Sequence, residues 1–249
     1  MKLLGIDVGG SGIKGGIVDT EKGKMVSERF RIPTPQPSKP KKVAKTIKKI
    51  IDHFEWEDIV GCALPVVVDR NGISKTYGNI HKKWLGYDIK SRLEDTCGLP
   101  FKLLNDADAA GTAEMTFGAG KEKQGLVAMI TIGTGLGSGV FYNGTLVPNI
   151  ELGRIFHTNG EPIEFYAASS AKEREDLSMK KWSKRFDFFL RHVDRIISPD
   201  LFIIGGGISK KFEKFKDQLT VSVPVVVAKT RNNAGIIGAA MAAEQEAHQ

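Results

Sequence analysis

The chain has 249 residues, 41% of them hydrophobic and 26% charged, with a formal net charge of +7 and two cysteines. That composition describes an ordinary globular protein long enough for two modest cores rather than one. The apolar runs around Val66 and Ile203 are far shorter than a bilayer-spanning helix, a strand starts at Leu3 with no leader pattern before it, and Cys62 and Cys97 lie far apart with no CxxC partner. A membrane span, a secretory leader, a disulfide framework and a thiolate metal site are therefore all unexpected, which leaves the cytoplasm as the expected location and the two cysteines as buried apolar fillers.

In chain order, residues 3–19, "LLGIDVGGSGIKGGIVD", predict strand, glycine turn, strand. The Pro-rich connection "PTPQPSKP" leads into a helix whose Val43, Ile47, Ile50, Ile51 and Phe54 fall at core-facing spacing. Its outer face carries Lys39, Lys41, Lys42, Lys45, Lys48 and Lys49 with no acid among them. Such a face is either a solvated lysine surface or an attraction for a polyanion. Nothing interleaves aromatic residues with it, and no nucleic-acid module is recognisable, so nucleic acid is not expected as the partner. A strand "IVGCALPVVV", a loop around "YGNIHKKWLGYDI" and a short helix come next, and a further strand ends in "LLNDADAAG". There Asn105 is a helix cap, and Asp106 and Asp108 are either acids that complement a helix dipole or, for one of them, a group that does chemistry.

Residues 126–147, "LVAMITIGTGLGSGVFYNGTLV", repeat the opening plan, with Asn143-Gly144 as a further hairpin turn. A long loop through Tyr166 follows, then a helical stretch from about Ala167 to Ile197, the strand "DLFIIGGGIS", another helix and strand, and a last helix from Gly235. Strands and helices alternate in both halves, which predicts two α/β lobes of related topology with a cleft between them. Gly10 to Gly15 formally matches GxGxxG, but "IKGGIVD" continues as a strand where a dinucleotide fold needs a helix, and the Walker spacing is absent. Glycine turns without Cβ atoms still let backbone N–H groups close on an anion. Two of them in matching positions suit a phosphoryl chain held from both sides.

"GIDVGGSGIKGGIVD", "NDADAAG", "TIGTGLGSG", "ELG" followed by "EFYAAS", and "IIGGGIS" together resemble the ROK family of sugar kinases, across nearly the whole chain. "TPQP", "NDADAAGTAE", "LVPNIELG", "AASSAKEREDLS" and "SPDLFIIGGGISKK" are similar to its branch that uses polyphosphate and glucose. The resemblance implies an actin-like, ribonuclease H-like duplicated α/β fold with an interlobe cleft. The lobes would be residues 1–111, completed by helix 236–249, and residues 112–235. It implies transfer of a phosphoryl group to the 6-hydroxyl of glucose from inorganic polyphosphate, with ATP as an open second donor, in a cytoplasmic homodimer that needs neither membrane nor nucleic acid. By the same resemblance Asp106 is the general base, and Asn105, Glu151 and Glu164 bind sugar hydroxyls with Asn79 as a further candidate. Asp7 helps hold Mg²⁺ through water. Phosphate contacts fall on Gly9, Gly10, Ser11, Gly12 and Lys14, on Thr131, Gly133, Thr134 and Gly135, and on Gly205, Gly206 and Gly207. Asp108 is then the dipole-complementing acid.

Two departures stand out. Pro65-Val66 replaces the family's Pro-Gly, putting a β-branched side chain where backbone approaches the sugar. Gly153-Arg154 replaces Gly-His, giving Arg154 as a sugar or phosphate donor in place of an imidazole, and His157 is too far along to substitute simply. The cysteine cluster that holds zinc in many relatives is missing, so no zinc is expected. An ATP-dependent kinase of another hexose, and a binding protein that has lost catalysis, remain the alternatives.

Overall fold

Alternating apolar and small residues make Lys2–Val8 (β1) and Gly12–Asp19 (β2) an antiparallel pair, with Asp7 opposite Lys14. The computed structural model describes residues 1–78, 80–230 and 233–247. It separates them into two units, Met1–Ala113 with Asn232–Gln249, and Glu114–Arg231. In the first unit β2 is flanked by Lys24–Met25 (β3) and Phe30–Pro33 (β4). Val60–Leu64 (β5) pairs parallel with β1, and Phe101–Asn105 (β6) pairs parallel with β5. Pro40–His53 (α1) has Pro at its first position and buries Val43, Ala44, Ile47, Ile50 and Ile51, the apolar spacing of one helix face. Each such aliphatic side chain contributes about 1.5–3 kcal/mol by leaving water. Ile89–Cys97 (α2) starts on the Asp88 side chain, which accepts from Ser91 N–H at 3.0 Å, and stops at Gly98 with φ +74°. Asp106–Phe117 (α3) begins as soon as β6 ends.

The second unit repeats the arrangement. Leu126–Ile132 (β7) and Leu136–Tyr142 (β8) form a hairpin, and Thr145–Val147 (β9) extends it through Asn143 and Gly144, whose φ values of +48° and +81° are those a two-residue hairpin turn requires. Three helices follow: Glu164–Ala167 (α4), Ser169–Arg174 (α5) and Met179–Ile197 (α6). Leu201–Gly205 (β10) then pairs parallel with β7, and Val225–Val227 (β11) with β10. Sheet order is β3-β2-β1-β5-β6 in the first unit and β9-β8-β7-β10-β11 in the second, so hairpin and parallel strands occupy matching places.

Two predicted helices differ. The stretch expected from Ala167 to Ile197 is broken into α4, α5 and α6, because Trp182 Nε1 donates to the carbonyls of Ala167 (2.9 Å) and Ala168 (3.2 Å), acceptors a continuous helix would need, and Ser178 starts a new helix by capping Lys181 N–H. The segment after "IIGGG" is 3₁₀ helix over Gly207–Lys214, leaving helical geometry at Lys211. Its path follows Phe215, whose ring meets Trp182 at 5.2 Å and Phe186 at 6.0 Å.

The C-terminal helix Ala234–Ala247 (α7) belongs to the first unit and touches it backbone to backbone. A Cβ on Gly5 would overlap the Ile236 carbonyl, one on Gly61 the Ala239 carbonyl, and one on Gly238 the Ala109 carbonyl. Thr20 Oγ1 donates to Glu244 at 2.7 Å and Lys102 Nζ reaches Glu246 at 2.6 Å, closing the outer side. Among the described residues no helix is long and apolar enough to cross a membrane.

Candidate active site

In the first unit the expected residues gather at the C-terminal ends of the parallel strands β1, β5 and β6, where α/β sheets place ligands. Asn105, the last residue of β6, accepts from Ala107 N–H at 2.8 Å and Asp108 N–H at 3.4 Å through Oδ1. It is thus the cap that starts α3. Asp106 is the first residue of that helix and is partly exposed, whereas Asp108 in the same turn is 1% exposed. The strand-to-helix corner therefore presents one of the two acids and buries the other. Asp7 Oδ2 accepts from Lys14 Nζ at 3.1 Å, and a Cβ on Gly235 would lie 2.9 Å from the Asp7 carboxyl carbon. The Asp7 carboxylate thus sits against the positive end of α7.

Gly9 N–H to Gly12 C=O, 3.0 Å, closes the first glycine turn. The N–H groups of Gly10 and Ser11 go to no acceptor among the described residues, and a Cβ on Gly10 would meet nothing within 4 Å. They remain available to an anion. The Arg31 guanidinium lies across Gly12, in the space a Cβ there would take. Thr34 holds the same turn, its Oγ1 donating to Gly9 C=O at 2.5 Å and its N–H to Ser11 C=O at 3.4 Å.

In the second unit the Gly133–Gly135 turn and the run Gly205 to Gly207 share one end of the sheet, with Thr131 opposite Gly205. Gly206 has φ +80°, and a side chain on it would strike the Ile132 backbone, so only glycine lets β10 leave beside the turn. Ser169 donates to the Gly133 carbonyl and Ser170 to that of Thr134, at the start of α5. Thr131 and Gly135 are partly exposed, and Thr134 is exposed at the tip.

Within the second unit, Glu164 stands beside the Gly133–Gly135 turn and beside Glu151 and Arg154. Its Oε2 accepts from Leu136 N–H, 3.3 Å, just beyond the turn, and it interacts electrostatically with Glu151 and Arg154. Burial pushes the Glu151 carboxyl above its usual range; Arg154 pulls it back and Glu164 adds to the rise. Burial raises Glu164 in the same direction, against the Leu136 N–H and Arg154. Arg154 closes a short 3₁₀ turn, Leu152–Arg154, and is exposed. His157 stacks on Tyr166 at 4.3 Å instead of standing in for an imidazole beside Glu151.

Asn79 lies outside the described residues. Val66 is 1% exposed, its side chain packed inside the first unit's apolar core. Cys62 is buried as expected, but Cys97 is only half-buried. That Arg31, Thr34, Ser169 and Ser170 hold the two glycine turns was not legible in the sequence; Ser169 and Ser170 lie inside the motif "AASS", while Arg31 and Thr34 reach the turn only through the pairing of β4 with β2.

The ROK family model matches residues 3–158. Polyphosphate glucokinase of Mycobacterium tuberculosis (strain CDC 1551 / Oshkosh) is 47% identical over 240 residues, 96% of this chain and 90% of that protein. The crystal structure of an inorganic polyphosphate/ATP-glucomannokinase from Arthrobacter sp. strain KM superposes with a TM-score of 0.93 at 42% identity, covering 98% of this chain and 99% of that one. A ROK family glucokinase from Streptomyces griseus, in complex with glucose and AMPPNP, shares the fold at a TM-score of 0.84 and 23% identity over 98% of this chain and 100% of that one. The paired sheets and their flanking helices are the actin-like α/β fold of these sugar kinases. With the family model over more than half its length and a relative matched nearly end to end, the chain belongs to the ROK family.

Proposed function

We propose that this chain transfers the terminal phosphoryl group of inorganic polyphosphate to the 6-hydroxyl of glucose, with ATP as a second donor. The observation that carries the reading is the 47% identity over 96% of the chain to a polyphosphate glucokinase. A partly exposed acid, Asp106, at the capped start of α3 supplies the chemistry.

Asp106 takes the proton of the 6-hydroxyl as its oxygen attacks the terminal phosphorus. The bond from that phosphorus to the bridging oxygen breaks, and the donor leaves one phosphate shorter. Asn105, Glu151 and Glu164 hold sugar hydroxyls, and Arg154 donates to the sugar or to phosphate. The glycine turns and the Gly205 to Gly207 run receive phosphate oxygens on their N–H groups. Mg²⁺ fits these residues as an ion that travels with the donor. It keeps several waters and needs only one or two carboxylates beside phosphate oxygens. Asp7 is such a carboxylate, and among the described residues no three His, Cys, Asp or Glu form a cage. When bound, the ion would neutralise charge on the transferred phosphoryl. Zinc has no place in the reading. Two copies per assembly and a cytoplasmic location complete it, to be tested by sedimentation and fractionation.

The decisive measurement is hexose 6-phosphate formation with polyphosphate and ATP side by side, on glucose and also on mannose because the structural neighbour is named a glucomannokinase. Glucose 6-phosphate formed from polyphosphate is the expected result. No product from either donor would refute the reading.

A further inference from the structure

Beside the first glycine turn stands a cation that no carboxylate among the described residues pairs with. Arg31 on β4 stands opposite Lys14 on β2, and its guanidinium crosses Gly12 to donate from Nη2 to the Ser11 carbonyl at 2.8 Å. Lys14, its neighbour across the strands, is paired with Asp7, but among the described residues no carboxylate forms an ion pair with Arg31, which is exposed. One of its five N–H groups is spent on the turn, and tethering removes much of the freedom a surface arginine loses on binding.

Position on the sheet says which part of a donor it would meet. Counting from β6, where Asp106 follows, the strands run β5, β1, β2, β4. The guanidinium lies over β2, three strands from β6, which at about 4.8 Å per strand is roughly 14 Å along the sheet end. That is too far for the phosphoryl group under attack at Asp106. On the other side of Arg31 the chain turns toward more positive charge. Phe30 stacks on His53 at 3.8 Å, at the C-terminal end of α1, so β4 and α1 run in opposite directions. Thr34 and the N-terminal end of α1 therefore share the end that carries the turn. Lys39, Lys41 and Lys42 stand there, with no acid in the helix's first turn.

We infer that Arg31 binds the phosphoryl donor behind its reacting end, and that it favours long inorganic polyphosphate over ATP because only a long chain extends from Asp106 past the glycine turn to the Lys39–Lys42 edge. A planar guanidinium suits paired phosphate oxygens, whereas the lysines beyond it act as point charges. The inference rests on the donor reading given above.

The test compares wild type, Arg31→Gln and Arg31→Lys with long-chain polyphosphate, tripolyphosphate and ATP at saturating glucose. A filter-retention measurement of labelled long-chain polyphosphate without glucose runs alongside. For Arg31→Gln the expected result is a KM for long polyphosphate raised about tenfold, at least five times the rise for ATP or tripolyphosphate, with weaker retention and a shallower salt dependence. Arg31→Lys should fall between, keeping the charge and losing the fork. Equal rises for all three donors would show that Arg31 only holds the turn through Ser11, and an unchanged KM for long polyphosphate would likewise overturn the inference. A wild type that makes no sugar phosphate from any donor fails the activity reading instead. In that case loss of polyphosphate retention in Arg31→Gln alone would still uphold the binding site, and equal retention would overturn it.

Discussion

Asp106 and Asp108 are two residues apart in one helical turn, and their exposure divides them. Replacing Asp106 with Asn should lower kcat by about 10²–10⁴, the range for loss of a general base, with glucose KM little changed. Asp108→Asn, at a position 1% exposed, should show its effect in the melting temperature and leave kcat within a few-fold. Equal kcat losses in both would remove Asp106 from its role. Glu151 and Glu164 give a pH prediction. Both carboxyls are raised by burial, so the folded state holds those protons at a pH where the unfolded chain has released them. Above the raised values folding carries the whole penalty, and it is relieved as pH falls toward the ordinary glutamate range. Glu151→Gln should therefore raise the melting temperature at pH 7 and give little gain near pH 4, measured by calorimetry, while raising glucose KM at both. Because a neutral carboxyl accepts hydroxyls less well, glucose KM in the wild type should begin to climb on acidification at a pH above that of an exposed glutamate. At this scale the sequence was legible where a motif fixes a backbone position, as with Asn105, and illegible where packing decides. Val66 stands next to a proline in a strand exit, and nothing local says that its side chain turns into the core with Trp84 and Leu64.

Helix α1 shows an element whose local pattern was sufficient: its apolar spacing and its lysines lie where the sequence places them. What the sequence withheld is which lysines are engaged. Lys48 pairs with Asp52 at 3.0 Å and Lys42 reaches the Gln36 carbonyl, whereas Lys41, Lys45 and Lys49 are exposed. Reversing those three to Glu should raise the KM for long polyphosphate several-fold more than that for ATP, and added salt should mimic the effect on wild type. A matched change for both donors would make the face a solvated surface only. Helix α6 lies within the helical stretch read from about Ala167 to Ile197 and buries Trp182, Phe186, Phe189, Leu190 and Val193, but its start was not legible, because the Trp182 indole that ends the preceding turns acts from within the following helix. The contact of α7 with the sheet depends on Gly5, Gly61 and Gly238, three glycines that read as ordinary strand and helix positions. Gly61→Val should destabilise the protein by more than the about 1–3 kcal/mol usual for overpacking, since the obstacle is a carbonyl rather than a side chain. The check is thermal or denaturant unfolding.

Across the whole chain the duplication was legible, because each half opens with the same strand, glycine turn and strand, and the sheet orders repeat. Residues 114–231 are one continuous segment, whereas the first unit draws on both ends of the described chain. Expressed alone, 114–231 should melt cooperatively by circular dichroism. Residues 1–113 alone should not, unless the segment carrying α7 is supplied in the same polypeptide; a cooperative melt of 1–113 by itself would refute this. The close seat of α7 also sets an order of events during translation. While the roughly 120 residues of the second unit are being added at about 5–20 per second, some 6–24 s pass in which the emerged β1 and β5 show bare Gly5 and Gly61 grooves. Through that interval the nascent protein has an apolar sheet face with no helix to cover it. A chaperone that grips newly made chains has its longest opportunity there, and a stop codon just after Thr230 would release a chain whose second half is finished and whose first half has no lid.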